Sequence, residues 1–275
     1  KYVGFDLLVC LDGERHANVR SLVGRMFAPR RLKDNEVFMT EYARQLVGKA
    51  VAEGYCELVN QIATPYVTMV IADLLGVPAE DRVKFEERLA QNQTVGSIDN
   101  PDAPTDTSTL EFMGAFFYQY LADRRENPGT DLLSELAMAM YPGGVTPDLL
   151  DLVKLAVFMF AAGQDTSAKL LGNAMRYIVD VPGLQQLLRE NRDQIPWMLE
   201  EVLRLEGSSK ATHRVAIRDT KIGDRAIPAG TQVIIALAAA NRDRKYWGED
   251  ANEFKLNRPG VRNHIAFGRG SHTCA

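Results

Sequence analysis

Apolar residues recur at helical spacing over most of the chain up to residue 206, and Pro and Gly interrupt the pattern at short intervals. The pattern predicts helices over residues 15–27, from a cap at Asp34 to the stop at Gly54, and over 59–75. Further helices are predicted from residue 78 and over 110–125, whereas the polar stretch 95–108 is typical of a mobile surface loop.

One long helix is predicted from Thr146 to Asp180. Thr146 is a capping residue, Pro147 suits the first helical position, and the Val-Pro-Gly sequence at 181–183 ends the pattern. The middle of this segment is apolar on every side, so we expect it to run through the interior. Its most apolar stretch, 149–162, contains Asp151 and Lys154 and is too short and too polar to span a bilayer.

Beyond Gly207 the pattern changes to short β-like runs at 212–217, 221–222 and 232–236, separated by turn residues at 223–224 and 228–230. The predicted fold class is therefore mainly α with a small β part. The sequence contains no linker, repeat or low-complexity tract, which predicts a single domain over residues 1–275.

Composition excludes several classes of protein. The 275 residues are 46% hydrophobic and 25% charged, as in ordinary globular proteins. A net charge of -4, without a basic tract interleaved with aromatic residues, argues against nucleic acid as a partner. The three cysteines, Cys10, Cys56 and Cys274, are far apart and form no Cys-x-x-Cys pair, which favours a reducing compartment such as the cytoplasm.

The most informative segment is Phe267 to Cys274, which reads Phe-Gly-Arg-Gly-Ser-His-Thr-Cys. Glycines allow the main chain to approach a flat ligand closely, and a cysteine thiolate is a known axial ligand of haem iron. The residues alone also allow a surface loop with a free cysteine that acts as a small hydrophobe.

This segment closely resembles the haem-binding loop of the cytochrome P450 family, whose pattern is Phe-Gly-x-Gly, two positions, a basic residue or His, one position, and Cys. The resemblance implies that Cys274 ligates the iron of haem b (iron protoporphyrin IX), that Phe267 and Gly268 help to bind the cofactor, and that His272 meets a haem propionate. It also implies the cytochrome P450 fold, with one long interior helix crossing over the haem, incomplete here at both its N- and C-terminus. Further segments resemble the soluble bacterial, actinomycete-type branch of the family: 27–30, 72–78, 124–128, 131–133 and 240–243.

The long helix contains the sequence Ala162-Gly163-Gln164-Asp165-Thr166. A glycine inside a helix costs about 1 kcal/mol relative to Ala and suggests that something flat approaches the backbone there. In the resembled family this motif lies above the haem, at a local opening of the helix. The resemblance therefore implies that Ala162 and Gly163 contact the cofactor and that Asp165 and Thr166 deliver protons. From the residues alone, Thr166 could instead bond to the preceding helical turn, with Asp165 facing solvent.

The resemblance assigns roles to two further sets of residues. A dianionic haem needs cationic or hydrogen-bonding partners, and the matching positions are His16, Arg20 and Arg214 beside His272. Glu201 and Arg204 lie three apart on one helix face, where such pairs are usually solvated. In the resembled family such a pair is joined by a third arginine, here Arg258, and supports the haem loop.

These matches imply a haem-thiolate monooxygenase that inserts one oxygen atom of O2 into a hydrophobic small molecule. No flavin or iron–sulfur motif is present, so electrons are expected from a ferredoxin and its NAD(P)H-dependent reductase, and no membrane is implied. Four arginines are candidates for the docking face of this partner: Arg25, Arg30, Arg31 and Arg269. Two alternatives remain open: a peroxide-driven peroxygenase of the same fold, against which Asp165 and Thr166 argue, and an inactive, truncated haem-binding fragment.

Overall fold

The computed structural model describes residues 7–27, 29–91 and 108–275. The described chain is mostly helical with a small β part, which confirms the predicted fold class. The chain divides into two compact units, residues 1–165 with Ala275, and residues 166–274. The single domain over 1–275 stays a prediction.

The regular secondary structure in the described residues of the first unit consists of helices. After a short 3-10 turn at Leu8–Cys10, its helices and the long helix that begins in it are α1 (Gly13–Met26), α2 (Pro29–Glu53), α3 (Thr64–Leu74), α4 (Ala79–Gln91), α5 (Ser108–Glu126), α6 (Leu132–Ala137) and α7 (Leu149–Asp180). The segment predicted as one helix over 59–75 starts as a π-helix, Val59–Ala63, before α3. Of the predicted loop 95–108, all but Ser108 lies outside the described residues, and Ser108 begins α5.

Two predicted helix starts are wrong. Helix α2 begins at Pro29 rather than at a cap on Asp34, because proline has a helical φ and lacks the N–H that would be unpaired in the first turn. Helix α7 begins at Leu149 rather than at Thr146 and Pro147. The side chain of Asp148 accepts a hydrogen bond from the Leu150 N–H at 2.8 Å, so Asp148 supplies the cap.

The core of the first unit surrounds Phe85 of α4, which is fully buried. Its ring lies 4.8 Å from that of Phe116 at nearly a right angle and 5.3 Å from that of Phe160 on α7. Edge-to-face contacts of this kind stabilise aromatic pairs beyond the area that they bury. The first half of α7 is thereby fixed against α4 and α5.

The prediction that α7 runs through the interior is correct only for its first half. Residues 152–160 are mostly buried, whereas Ala162, Asp165, Met175 and Val179 are exposed. In the second half, Ala168 and Ala174 are buried on one side of the helix. An apolar sequence does not show how many sides of a helix are covered by other elements. The second half of α7 is covered on one side.

The second unit combines helices α8 (Leu184–Glu190) and α9 (Ile195–Glu206) with two small antiparallel sheets. Strand β1 (Thr212–Val215) pairs with β4 (Gln232–Ile235), with Thr212 opposite Ile235. Strand β2 (Thr220–Ile222) pairs with β3 (Arg225–Ile227). The sequence analysis missed β3, because a three-residue strand with one β-branched residue gives almost no alternation. Two short helices follow, α10 (Leu237–Ala240) and α11 (Arg244–Trp247).

A second hydrophobic cluster joins the end of α7 to α8 and α9. Its buried members include Leu184, Met198 and Val202, and the rings of Tyr177 and Phe254 lie 5.0 Å apart beside them. This cluster fixes α9 along its apolar face and leaves its polar face to the loops that follow. Within the described ranges, no helix has the length and apolar character needed to cross a membrane.

Candidate active site

The loop that ends at Cys274 is folded back on itself. The Cys274 N–H donates to the Phe267 carbonyl at 2.9 Å, and a single 3-10 turn, Gly270–His272, lies between them. Gly268 and Gly270 have φ angles of 69° and 81°, in the left-handed region that glycine adopts at little cost. The two glycines therefore make the turn possible.

The loop has the features needed to present a cysteine ligand to haem iron. Cys274 is a free, exposed cysteine at the end of the turn. A Cβ added to Gly270 would meet nothing within 4 Å, and one on Gly268 would meet only the His272 carbonyl, at 3.9 Å. A flat macrocycle can approach such a backbone closely, and a thiolate is a suitable axial ligand for its iron.

The segment from Ala162 to Thr166 lies inside α7. The α-helix is regular through these residues, so the local opening implied by the family resemblance is not seen in this structure. Asp165 is exposed and Thr166 is half-buried. Within the second unit, the Ser208 hydroxyl donates to the Thr166 carbonyl at 2.6 Å. The roles of Asp165 and Thr166 in proton delivery stay predictions.

Gly163 is in close contact with α3 in the first unit. A Cβ added at Gly163 would lie 2.7 Å from Cδ1 of Ile71, closer than real Cβ atoms approach. In this structure, the side chain of Ile71 therefore occupies the space that a side chain at Gly163 would need. That contact gives the glycine a packing role, and the predicted role of Ala162 and Gly163 in cofactor binding remains untested.

The predicted partners of the haem propionates are found in both units. In the first, His16 is buried and Arg20 half-buried, one turn apart on α1. In the second, Arg214 lies on β1 with an exposed guanidinium that donates to the His213 carbonyl at 2.7 Å, and His272 is half-buried in the cysteine loop. Their roles as propionate ligands stay predictions.

Glu201, Arg204 and Arg258 form a buried cluster in the second unit. The side chains of Glu201 and Arg204 are fully buried, and Arg204 donates to both carboxylate oxygens, at 2.7 and 2.8 Å. Arg258 donates from Nε to the same carboxylate at 2.9 Å. Glu201 and Arg204 therefore form a buried pair, whereas most pairs of this kind lie on solvated helix faces.

The remaining donors of the two arginines hold the backbone of residues 241–258. Arg204 donates to the carbonyls of Asn241 and Ala251, at 2.8 and 2.7 Å. Arg258 donates to the side chain of Asp250 at 2.7 Å, and this contact keeps the pKa of Asp250 below its ordinary value. The cluster thus ties α9 to the segment that precedes the cysteine loop.

Comparison with known proteins decides the family. Residues 107–275 match the family model described as Cytochrome P450. The chain is also 32% identical over 271 residues to cytochrome P450 130 of Mycobacterium tuberculosis, covering 97% of this chain and 66% of that relative. This chain belongs to the cytochrome P450 family. Members of the family bind haem, iron protoporphyrin IX.

Other P450s show the same likeness. The chain is 30% identical over 269 residues to a vitamin D(3) 25-hydroxylase of Pseudonocardia autotrophica, covering 98% of this chain and 65% of that protein. Its fold matches substrate-free CYP150A6 of Mycobacterium marinum with a TM-score of 0.88 and 42% identity, over 98% of this chain and 62% of that one. The chain thus spans about two thirds of the length of these relatives.

Glu200 and His264 were not predicted from the sequence. The buried His264 lies three residues before Phe267, with its Nε2 3.0 Å from a carboxylate oxygen of Glu200. The acid immediately before Glu201 gave no signal, because two adjacent glutamates on a helix are most often a solvated pair. The pair becomes visible only when the loop packs against α9.

Glu201→Gln tests the buried cluster. The amide keeps the shape of the carboxylate but removes its charge, so Arg204 loses its counterion and Arg258 keeps Asp250 alone. Breaking a buried pair in this way typically costs about 3–5 kcal/mol, and we expect a loss of that size in the free energy of unfolding, measured with urea.

The matched control is Glu249→Gln, which alters an exposed ion pair with Arg244 at 3.6 Å. Exposed pairs contribute about 0–1 kcal/mol, so this variant should unfold almost like the original protein. Equal losses in the two variants would show that the buried charges do not support the fold.

Proposed function

We propose that the protein is a haem-thiolate monooxygenase that inserts one oxygen atom of O2 into a hydrophobic small molecule. The observation that carries this proposal is the exposed Cys274 at the end of a loop that left-handed glycines fold, in a chain of the P450 family. The chain spans about two thirds of its relatives, so the activity of the whole protein is proposed here from this part.

The residues of the chain hold and orient the cofactor. Cys274 would bind the iron as a thiolate, and haem held in this way would supply the redox chemistry that activates dioxygen. Phe267 and Gly268 form the turn that presents the sulfur. The propionates are bound by His16, Arg20, Arg214 and His272, since carboxylates take charge-assisted hydrogen bonds from such groups.

Asp165 and Thr166 deliver protons to the reacting oxygen. The exposed carboxylate of Asp165 exchanges protons with solvent, and the hydroxyl of Thr166, half-buried on the next residue, passes them inward. An acid in contact with water followed by a less exposed hydroxyl is a suitable order for such a relay. The same pair supports a monooxygenase over a peroxygenase, which has no need of it.

The substrate is proposed to be a hydrophobic small molecule, and Phe158 and Ala162 of α7 are candidates for contacting it. Phe158 is half-buried and Ala162 is exposed, so both apolar surfaces are accessible to a ligand. A relative that is 30% identical is a vitamin D(3) 25-hydroxylase, which acts on a lipid of this kind.

The electron donor is proposed to be a ferredoxin with its NAD(P)H-dependent reductase, and the location is the cytoplasm, where the free thiols of Cys10, Cys56 and Cys274 stay reduced. Of the four candidate docking arginines, Arg269 is an exposed residue of the cysteine loop itself. Arg31 instead forms an ion pair with Glu135. The side chains of Arg25 and Arg30 lie outside the described residues.

The spectrum of the reduced protein under carbon monoxide tests Cys274. A thiolate opposite carbon monoxide shifts the Soret band strongly to the red, so we expect this band in the original protein and its loss in Cys274→Ser. Cys56→Ser is the control, because this half-buried cysteine lies outside the loop and its replacement should leave the band unchanged. Bound haem without the shifted band, or a shifted band in Cys274→Ser, would refute the proposed ligand.

Thr166→Ala tests proton delivery. General acid catalysis contributes about 10²-fold or more, so without the hydroxyl we expect electrons to be consumed with little product. The measurement is product formed per NAD(P)H oxidised, with vitamin D3 as probe. Thr166→Ser retains the hydroxyl and should retain most of the yield. A Thr166→Ala variant with the original yield would rule out the relay.

Arg269→Glu tests the docking face. Reversing a charge at the edge of an interface changes the association rate and its salt dependence, so reduction by a ferredoxin should slow severalfold at low salt. The control is Arg189→Glu, an exposed arginine on α8. Equal reduction rates in the two variants would exclude Arg269 from the docking surface.

A further inference from the structure

His264 joins α9 to the start of the cysteine loop. Its side chain is 2% exposed, and its Nε2 lies 3.0 Å from Glu200 on α9. Its Nδ1 accepts a hydrogen bond from the Ala266 N–H at 3.2 Å. The imidazole ring also lies 5.6 Å from the ring of Phe267. One buried side chain thus contacts both the helix and the first residues of the loop.

The two hydrogen bonds fix where the proton of His264 lies. A backbone N–H can only donate, so Nδ1 must accept and carries no proton. The proton therefore lies on Nε2, from which it is donated to Glu200. A neutral imidazole satisfies both partners, and Glu200 holds the ring in the tautomer that accepts from Ala266.

Glu200 is itself held in place. Arg262 approaches its other carboxylate oxygen at 3.4 Å, and the Arg262 guanidinium lies 4.5 Å from the centre of the Trp197 ring, also on α9. The carboxylate therefore has one partner near the surface and one in the interior. Its contact with Arg262 helps to hold the Glu200 carboxylate in one position on α9, so His264 has an acceptor in a defined place.

The contact with Ala266 lies one residue from the bond that holds Cys274. The Phe267 carbonyl accepts from the Cys274 N–H at 2.9 Å. The preceding amide, that of Ile265, is also held, because it donates to the Asn241 side chain at 2.8 Å. The path of the loop into its turn is therefore set by side-chain acceptors at two consecutive amides.

We propose that His264 is a positioning residue for Cys274. Its Nδ1 fixes the Ala266 amide, which sets the direction of Phe267 and hence the place of the Cys274 sulfur. The part of this inference that concerns the iron rests on the proposed function. The part that concerns the loop does not.

Two substitutions separate the two bonds of His264. His264→Asn keeps an acceptor for the N–H two residues on, as asparagine does in turns, but is too short to reach Glu200. His264→Gln keeps a donor that reaches toward Glu200 but offers no acceptor at the position of Nδ1. Arg189→Gln is the control, because this exposed arginine lies on α8 and takes no part in the contacts of Glu200 and His264 described above.

The first measurement is hydrogen exchange of the amides of residues 265–274 in the full-length protein without haem. We expect exchange at Ala266 and Cys274 to rise about tenfold or more in His264→Gln, corresponding to a loss of about 1.4 kcal/mol of protection. His264→Asn and Arg189→Gln should stay close to the original protein. Unchanged exchange in His264→Gln, or equal increases in the Asn and Gln variants, would overturn the proposal.

The second measurement is the fraction of the red-shifted carbon monoxide complex in the haem-bound protein. His264→Gln should lose part of that fraction, whereas His264→Asn should retain it. If the original protein lacks the shifted band while the exchange contrast holds, the haem-thiolate function fails and the positioning role stands. A normal band in His264→Gln despite a loosened loop would overturn the link to the sulfur.

A further variant covers the case in which His264→Gln does not fold. Glu200→Ala leaves the imidazole in place and removes the acceptor that fixes its tautomer, together with the exposed ion pair to Arg262. We expect the same loosening of residues 265–274, at smaller size. Exchange identical to that of the original protein in this variant would contradict the role assigned to the Glu200–His264 pair.

Discussion

Two guanidinium groups share one carboxylate in the interior of the second unit, and the path of the chain toward Cys274 depends on this contact. Arg204 and Arg258 both bind Glu201, and Asp250 supplies a second negative charge beside Arg258. Two positive and two negative groups balance, so the cluster has no net charge to solvate. Buried ion pairs add little stability relative to apolar residues, but losing one partner is costly.

The chief effect of the cluster is to select one arrangement of the backbone. Residues 241–258 contain little regular structure, and their carbonyl groups would lack partners if they were buried without donors. The arginines provide those donors at Asn241, Ala251 and Glu253. These donors from α9 and from Arg258 thereby fix the path of the segment relative to α9.

Helix α9 acts on two segments through neighbouring carboxylates. Glu201 binds the arginines that hold residues 241–258, and Glu200 binds His264 at the start of the cysteine loop. The apolar face of the helix, which carries Met198 and Val202, belongs to the hydrophobic cluster that includes Leu184 and Leu188 of α8. One well-packed helix therefore supports both the approach to the loop and its first turn, which is what a ligand on a stretch of chain with little regular structure requires.

The sequence by itself determined the family, the cysteine loop and most of the helices. The loop could be predicted from the sequence because the turn needs glycine and the iron needs a cysteine ligand. Both requirements are local. Helix α2 began earlier than expected, since Pro29 suits a first turn better than the cap that Asp34 seemed to offer. Strand β3 escaped notice because three residues are too few to show alternation.

Only the tertiary structure decided what Glu200, Glu201 and His264 do. From the sequence, Glu201 and Arg204 are expected to form a solvated surface pair. In the structure, Arg258, which is 57 residues from Glu201, binds the same carboxylate, and the pair is buried. His264 shows no pattern at all in the sequence, and its role arises from a helix 64 residues earlier. The energy of a buried charge or hydrogen bond depends on which groups exclude water around it, and that is fixed by contacts distant in sequence.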